Sequence, residues 1–262
     1  MNKKINKYLA TKWLGWKIQY YPETDSTNVR AKAFAGEGVH GTLIVAGSQT
    51  AGRGRRGRSW ESPEEKNIYM SIYLKPEFDV EKAPMLTIVM AYSVAKALRN
   101  VFGLEAEIKW PNDLVLNKKK ICGILTEMNV KQGAIEYVVI GTGINVGNRS
   151  FPEELQQSAT SVWLETGQQF SRAQIIAEIM NVFEQEYERF CEAGSLAPIQ
   201  EAYNQMLVNS GKEVLVLDAK GQYRAFAKGI NEAGELQVEK EDGTRESVFA
   251  GEVSVRGIYG YV

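Results

Sequence analysis

Residues 49–58 read QTAGRGRRGR and lie between two apolar runs, 42–46 and 67–74. They contain four arginines, three glycines and no carboxylate. The flanking runs predict strands, so the arginines sit on a loop inside a folded protein. Glycine lets backbone approach a ligand closely, and a guanidinium grips carboxylate or phosphate with two donors. The loop therefore predicts an anion site, with a solvated or RNA-contacting basic loop as the alternative.

Composition predicts a folded protein without a general affinity for polyanions. The chain has 262 residues, 44% of them hydrophobic and 10% aromatic, which suits a large domain or a domain plus a small one. Lysine and arginine number 31 and aspartate and glutamate 32, for a net charge of -1. No overall field favours nucleic acid or membrane. The arginine cluster is therefore a local feature.

Metal-site and targeting signals are weak in this sequence. Cys122 and Cys191 lie far apart, His40 is the single histidine, and no CxxC pattern occurs, which argues against structural zinc. The basic start has no apolar run long enough for a signal peptide, and no stretch approaches the roughly 20 apolar residues of a membrane span. We expect a soluble, cytoplasmic protein.

Hydrophobic periodicity predicts an α/β (α+β) protein with two domains. Strands are predicted near 17–21, 42–46, 67–74, 105–110, 113–116, 120–130 and 135–145. Helices are predicted at 29–34 and at 84–102, followed by a long helix that a capping box at Ser171 and Gln174 opens and by a second helix that runs to about Leu207. From Gly211 onward, short alternating runs separated by glycine-containing turns predict a small β module. The predicted domains are 1–210 and 211–262.

Residues 109–113 read KWPND, where a predicted strand leaves the sheet. Proline fixes the turn and Trp110 offers a flat face for a ring. Asn112 and Asp113 provide oxygens that could meet a magnesium shell. The alternative is an ordinary Pro-Asn-Asp turn beside a core tryptophan.

Glycines interrupt the apolar strands that follow. Residues 118–127 read KKKICGILTE and residues 140–145 read IGTGIN. Glycine inside a strand packs nothing and often marks a place where a ligand lies against backbone. The GxG lacks the third glycine and the following helix of a dinucleotide fingerprint. The lysine triplet can equally be a hairpin tip in water.

Residues 25–28 read DSTN, which predicts either a helix cap or a helix N-terminus that binds a carbonyl or an anion. No GxSxG, Walker A loop or cysteine with a recognisable base occurs. An enzyme built from these residues would work by positioning and electrostatics rather than through a covalent enzyme intermediate.

The order of these motifs, with a small β module after them, closely resembles the biotin–protein ligases (biotin–acetyl-CoA-carboxylase ligases) from about Ile18 to the C-terminus. The resemblance implies a mixed-sheet catalytic domain of the class II synthetase-like biotin/lipoate ligase type, followed by a small SH3-like β-barrel. Only about 17 residues precede the first strand, so it is the short form, without a DNA-binding domain, that the chain resembles.

The resemblance also implies site residues by motif position. The catalytic residues would be Arg53, Arg55 and Lys109. The biotin site would comprise Ser26, Thr27, Asn28, Gln49, Gly52, Arg53, Gly54, Arg55, Lys109 and Gly123. The ATP site would comprise Arg55, Arg58, Trp110, Asn112, Lys120 and Asn145, with Trp163 as the alternative adenine-stacking ring and Asn112 as a magnesium ligand.

The implied activity is ATP-dependent activation of biotin as biotinyl-5′-AMP and transfer of biotin to a lysine of a biotin carboxyl carrier protein. ATP and Mg²⁺ would be required, and the carrier protein would be the partner. Neither DNA nor membrane would be bound. A homodimer is compatible with the resemblance. Three alternatives stay open: a lipoate–protein ligase of the same fold, a non-catalytic biotin- or nucleic-acid-binding regulatory module, and an inactive biotin sensor.

Overall fold

The first part of the chain forms a seven-stranded mixed sheet. A computed structural model describes residues 1–64, 66–218, 221–250, 254–257 and 261–262. The strands are β1 (Ile18–Thr24), β2 (Thr42–Gln49), β3 (Ile68–Leu74), β4 (Glu107–Lys109), β5 (Asp113–Leu116), β6 (Lys119–Lys131) and β7 (Ala134–Ile144). Their order is β1-β2-β3-β7-β6-β5-β4. Only β1 and β2 pair in parallel, and the other neighbours are antiparallel. The predicted mixed sheet is confirmed.

Six α-helices accompany the sheet in the described residues. They are α1 (Asn2–Asn6), α2 (Thr27–Lys32), α3 (Met85–Phe102), α4 (Val162–Thr166), α5 (Arg172–Ala193) and α6 (Ala197–Met206). The hydroxyl of Ser171 accepts a hydrogen bond from the backbone N–H of Gln174 and caps α5, where the sequence places a cap. Helix α2 begins at Thr27, two residues earlier than predicted.

Helices cover both faces of the sheet. The large core contains the buried residues of α3 and α5, together with Leu43 and Val45 of β2. Ile44, between them, points to the other face and packs with Ala31 of α2 and Tyr73 of β3. Burial on both faces explains why the run 42–46 is continuously apolar instead of alternating.

One helical stretch in the described ranges, Val80–Phe102, has the length and apolar composition of a membrane span. Most of its apolar window is buried inside the fold. Leu86, Val89, Met90 and Leu98 belong to the large core. The stretch therefore behaves as a core helix in this structure.

The N-terminal residues pack on α5. The carboxylate of Glu184 accepts hydrogen bonds from the backbone N–H groups of Lys12, Trp13 and Leu14, at 2.6 to 3.0 Å. Glu184 is only 4% exposed, so its buried charge is compensated by these three donors. The segment before β1 is thereby fixed to the helical layer.

The C-terminal part forms a five-stranded antiparallel sheet. Its strands are β8 (Glu213–Asp218), β9 (Gly221–Ile230), β10 (Leu236–Glu239), β11 (Arg245–Val248) and β12 (Ser254–Gly257), in the order β11-β10-β9-β8-β12. Alternate residues such as Val214, Val216, Ala225 and Ala227 are buried. The predicted small β module is confirmed.

Candidate active site

A cleft opens on the α2 face of the large sheet, where the strands carry glycine. One end is polar and is lined by Ser26, Thr27, Asn28 and Gln49. The walls and floor are lined by Trp60, Tyr69, Met70, Gly123, Ile124, Leu125, Gly141, Thr142 and Gly143. Arg53, Gly54, Arg55, Asn112 and Lys120 complete the lining, so that cationic groups face a largely apolar floor.

The polar end is held by hydrogen bonds between its own side chains. The amide oxygen of Gln49 accepts from the backbone N–H and the hydroxyl of Thr27, at 2.8 and 3.2 Å. The carboxylate of Asp25 accepts from the N–H of Ser26 at 2.6 Å. Ser26 is the N-cap residue of α2, but its side chain makes no capping hydrogen bond. The DSTN turn is therefore capped by Asp25 and Gln49, and Ser26 lines the cleft instead.

Glu127 supports the same end from below. Its carboxylate accepts from the side-chain amide of Asn28 at 2.8 Å and from the ammonium of Lys32 at 2.6 Å. Burial raises the pKa of Glu127, but these two donors outweigh burial and hold the pKa below its ordinary value. An ionised Glu127 thus fixes the amide orientation of Asn28.

Residues 49–60 form a folded hairpin, which we call the arginine hairpin. The N–H of Gly54 donates to the carbonyl of Arg58 at 2.7 Å, and that of Trp60 donates to the carbonyl of Gly52 at 3.0 Å. At the tip, Arg56 has a φ of 57° in the left-handed region. A Cβ at Gly52 would lie 2.4 Å from the Trp60 carbonyl, so this close pairing requires glycine there. The predicted loop therefore folds back on itself as a paired turn.

Two cationic side chains of the cleft are anchored. One guanidinium nitrogen of Arg55 donates to the side-chain oxygen of Asn112 at 2.8 Å, and the other donates to the carbonyl of Ala250. The ammonium of Lys120 lies 2.7 Å from a carboxylate oxygen of Asp113. Anchoring of this kind orients positive charge before a ligand arrives, which is what stabilisation of an anionic transition state needs.

Trp60 lies against a pair of glycines. Gly123 and Gly143 are directly opposite each other on β6 and β7. A Cβ at Gly143 would lie 2.6 Å from the indole nitrogen, and a Cβ at Gly123 would lie 2.9 Å from the indole ring. Among the described residues, the buried indole N–H has no hydrogen-bond partner. The two glycines therefore let the ring of Trp60 pack directly on the backbone of the floor.

Several predicted site residues do not reach the cleft in the described structure. Trp110 is 3% exposed and donates its indole N–H to the carbonyl of Gly234 at 2.9 Å, so it is a core tryptophan and does not offer a face for adenine. Lys109 is 7% exposed, with its ammonium 3.4 Å from the centre of the Tyr261 ring. Gly52 and Arg58 lie in the arginine hairpin, outside the lining.

Asn145 also lies outside the lining of the cleft. Its side-chain amide donates to the carbonyl of Thr160 at 3.2 Å, and its backbone N–H donates to the carbonyl of Ile121 at 2.7 Å. Its own carbonyl accepts from the N–H of Val162. The residue is 6% exposed and joins the segment after β7 to β6.

The prediction of Asn112 as a magnesium ligand does not agree with its surroundings. Its side-chain oxygen already accepts from the guanidinium of Arg55, and a second cation at that oxygen would be repelled. The described ranges contain no group of three or more His, Cys, Asp or Glu side chains able to hold a metal. Asn112 instead positions Arg55.

Trp60, Tyr69, Met70 and Thr142 also line the cleft, although none of them is among the predicted site residues. Trp60 lies two residues after Arg58, and this position is its only signal. Tyr69 and Met70 lie in a continuous apolar strand that gives no hint of which face carries a site. Residues 43–45 and 138–140 of the neighbouring apolar strands pack in the core and do not line the cleft.

No activated nucleophile lies at the floor of the cleft in the described structure. Cys122 is fully buried, and burial, with the charge of Asp113, raises the pKa of its thiol far above the ordinary range. A protonated, buried thiol does not attack a substrate. The arrangement suits chemistry in which bound substrates react with each other.

Comparison with known proteins identifies the family of the chain. The profile described as "Biotin/lipoate A/B protein ligase family" matches residues 20–145, and "Biotin protein ligase C terminal domain" matches residues 210–256. The bifunctional ligase/repressor BirA of Bacillus subtilis is 35% identical over 241 residues, which cover 91% of this chain and 74% of that protein. The chain belongs to the biotin protein ligase family.

Two further members of the biotin protein ligase family match over nearly their whole length. The biotin–(acetyl-CoA-carboxylase) ligase of Paracoccus denitrificans is 30% identical over 89% of this chain and 98% of that protein. The biotin protein ligase of Aquifex aeolicus in complex with biotin and ATP superposes with a TM-score of 0.81, at 30% identity, over 92% of this chain and 99% of that chain. Both the seven-stranded sheet and the C-terminal sheet of this chain therefore have counterparts in these relatives.

Proposed function

We propose that this chain is a biotin–protein ligase, which activates biotin with ATP as biotinyl-5′-AMP and transfers biotin to a lysine of a carrier protein. The observation that carries the proposal is one cleft with a polar end, a glycine floor and anchored cations under the arginine hairpin. Membership of the biotin protein ligase family makes biotin the substrate to test.

Biotin fits the chemistry of the cleft. Its ureido group is a cyclic urea that needs donors and an acceptor, and Ser26, Thr27, Asn28 and Gln49 provide both. Its fused rings and chain are apolar and match the glycine floor and Trp60. The carboxylate would then point toward Lys120 and the arginines, where an anion is stabilised.

The first step joins two anions. A carboxylate oxygen of biotin attacks the α-phosphorus of ATP, a C–O–P linkage forms, the bond to the β-phosphate breaks, and pyrophosphate leaves. Two unit charges at 4 Å repel by about 4 kcal/mol at an effective dielectric of 20. Arg53, Arg55 and Lys120 would offset this repulsion and the charge that builds on phosphorus. Lys109 is not in the lining of the cleft, so it would act on the substrates only indirectly.

Magnesium would enter as part of the substrate. Mg²⁺ prefers oxygen ligands and is commonly held by substrate phosphates. The oxygens nearest the cleft are already paired, Asn112 with Arg55 and Asp113 with Lys120. These residues do not fit a resident magnesium site, so we assign the ion to the MgATP complex.

The second step transfers the biotinyl group. The unprotonated amine of the carrier lysine attacks the acyl carbon, an amide forms, and AMP leaves with the phosphate oxygen. The mixed anhydride must be kept from water until then, and the arginine hairpin covers the cleft in the required place. The names of the relatives indicate that the carrier protein belongs to a biotin-dependent carboxylase. We place the reaction in the cytoplasm, where the free thiols Cys122 and Cys191 remain reduced.

The test is mass spectrometry of the purified protein incubated with MgATP, a biotin carboxyl carrier domain, and either biotin or lipoate. A mass gain of one biotinyl group on the carrier, dependent on ATP and absent with lipoate, is expected. A gain with lipoate instead would favour the lipoate–protein ligase that shares the fold. Biotin binding without any adenylate would leave a binding module and refute the proposal.

A further inference from the structure

The C-terminal end of the chain reaches the lysines of the catalytic sheet. Tyr261 lies next to the KWPND turn, with its ring 3.4 Å from the ammonium of Lys109. A cation over an aromatic face is attracted by the ring quadrupole, most strongly where water is excluded. Lys109 is 7% exposed, so the ring of Tyr261 shields a charge that is already largely removed from solvent.

The hydroxyl of the same tyrosine donates a hydrogen bond to Asp113. The hydroxyl of Tyr261 donates to one carboxylate oxygen of Asp113, and the other carboxylate oxygen lies 2.7 Å from the ammonium of Lys120. The side-chain amide of Asn112 donates to that second oxygen at 3.1 Å. The carboxylate of Asp113 is thus held from both sides, by Tyr261 on one oxygen and by Asn112 and Lys120 on the other.

Lys120 is the lysine of this group that lines the cleft. Its ammonium lies 5.4 Å from the centre of the Trp60 ring and within 3.3 Å of where a Cβ on Gly123 would be. A lysine side chain is flexible, so the direction of its charge depends on the partner that holds it. That partner is Asp113, whose orientation is set in turn by Tyr261.

We propose that Tyr261 is a positioning residue of the active site, which acts through Asp113 to direct Lys120 into the cleft. The proposal rests on the proposed ligase function, because Lys120 is given its role there. It gives Tyr261, which lies outside the strands of the C-terminal sheet, a part in the active site. Burial, with the charge of Asp113, raises the pKa of Tyr261 far above its ordinary value, so the hydroxyl stays a donor.

The first experiment measures biotinyl-AMP formation by the full-length chain with biotin and MgATP in a single turnover. Tyr261→Phe keeps the ring over Lys109 and removes the hydroxyl. We expect the rate of adenylate formation to fall about tenfold, with the biotin concentration for half-maximal rate changed less than twofold. Tyr261→Leu removes the ring as well and should be slower still. Tyr223→Phe, the same change at a tyrosine of β9, should behave like wild type.

A double-mutant cycle separates positioning from general stability. If Tyr261 acts through Asp113, then adding Tyr261→Phe to Asp113→Asn should slow adenylate formation less than twofold further. A merely structural tyrosine would slow both backgrounds by the same factor, and that result would overturn the proposal. So would a Tyr261→Phe rate equal to wild type.

A readout without catalysis checks the contact itself. In protein labelled with ¹³C-lysine, the ring current of Tyr261 should shift the terminal methylene of Lys109, and Tyr261→Leu should abolish the shift while Tyr261→Phe retains it. An unchanged lysine spectrum in Tyr261→Leu would refute the contact. An inactive wild type would refute the ligase function instead, whereas equally active wild type and Tyr261→Phe would refute only the role of Tyr261.

Discussion

At the scale of single residues, the lysine triplet 118–120 shows how neighbouring identical side chains acquire different environments. Lys118 is exposed in the turn before β6, with a φ of 65°. Lys119 donates to the carbonyl of Gln156 at 3.0 Å. Lys120 enters the cleft and pairs with Asp113. Alternation of side chains along a strand, together with the position of the turn, separates the three.

Replacing Lys120 tests the assignment of charge in the cleft. Lys120→Met keeps the length of the side chain and removes the ammonium, so we expect adenylate formation to slow by about 100-fold, typical for loss of one donor to a transition-state anion. Stopped-flow or quench measurements of pyrophosphate release provide the rate. Lys118→Met is the matched control and should retain the wild-type rate. Equal rates for both variants would contradict the role of Lys120.

At the scale of elements, the arginine hairpin is fixed to two neighbours by one side chain. Arg55 bonds Asn112 of the KWPND turn and Ala250 of the C-terminal part. Arg55→Ala removes both contacts, so the hairpin should open more often over bound biotinyl-AMP. We expect the lifetime of the protein-held adenylate to shorten about tenfold, measured by its hydrolysis after gel filtration.

The control for the hairpin is Arg56→Ala, which removes an exposed arginine from the same tip. The two changes remove the same charge from the same turn, so a difference between them reflects the contacts of Arg55, both its anchoring bonds and its place in the lining of the cleft. An adenylate lifetime shortened equally by both would mean that charge alone retains the adenylate.

The two tryptophans considered for adenine differ in their environment. Trp163 is partly exposed at the start of α4, with the guanidinium of Arg149 4.9 Å from its ring centre, whereas Trp110 is in the core. Trp163→Ala should raise the ATP concentration for half-maximal rate about 5- to 150-fold, since loss of aromatic stacking on a base costs about 1–3 kcal/mol. Trp110→Phe should instead lower the melting temperature. Steady-state kinetics and thermal unfolding distinguish these outcomes, and unchanged ATP dependence in Trp163→Ala would remove that ring from the site.

Regular elements could be predicted because their signals are local. The helical stripe of α3 and the alternation in β8–β12 follow from periodicity, and the capping of α5 follows from Ser171. Short helices such as α1 and α4 contain too few turns for a periodic signal. Whether Trp110 faced ligand or core could not be decided, because a tryptophan beside a proline turn has the same sequence in either case. The place of Trp60 depends on two glycines that are far away in sequence.

At the scale of the whole molecule, the N-terminal residues are joined to α5 by Asn181, Glu188 and the buried carboxylate of Glu184. Glu184→Gln would replace a charged acceptor of three backbone N–H groups with a neutral one that also introduces donors. We expect the free energy of unfolding to fall by about 1–3 kcal/mol, measured by chemical denaturation, with adenylate formation unchanged at temperatures where the chain is folded. Glu192→Gln, an exposed change on the same helix, is the control. A catalytic defect in Glu184→Gln would show that this end of the fold communicates with the cleft.

The bond from Arg55 to the Ala250 carbonyl has a mechanical consequence. Ala250 lies just after β11, so one hydrogen bond ties the hairpin to the C-terminal part of the chain. Movement of the hairpin away from the cleft therefore breaks a contact between the two parts of the chain. A disulfide introduced between the hairpin and the segment around Ala250, and closed only after biotinyl-AMP has formed, should hold the anhydride in the cleft and so separate the two half-reactions.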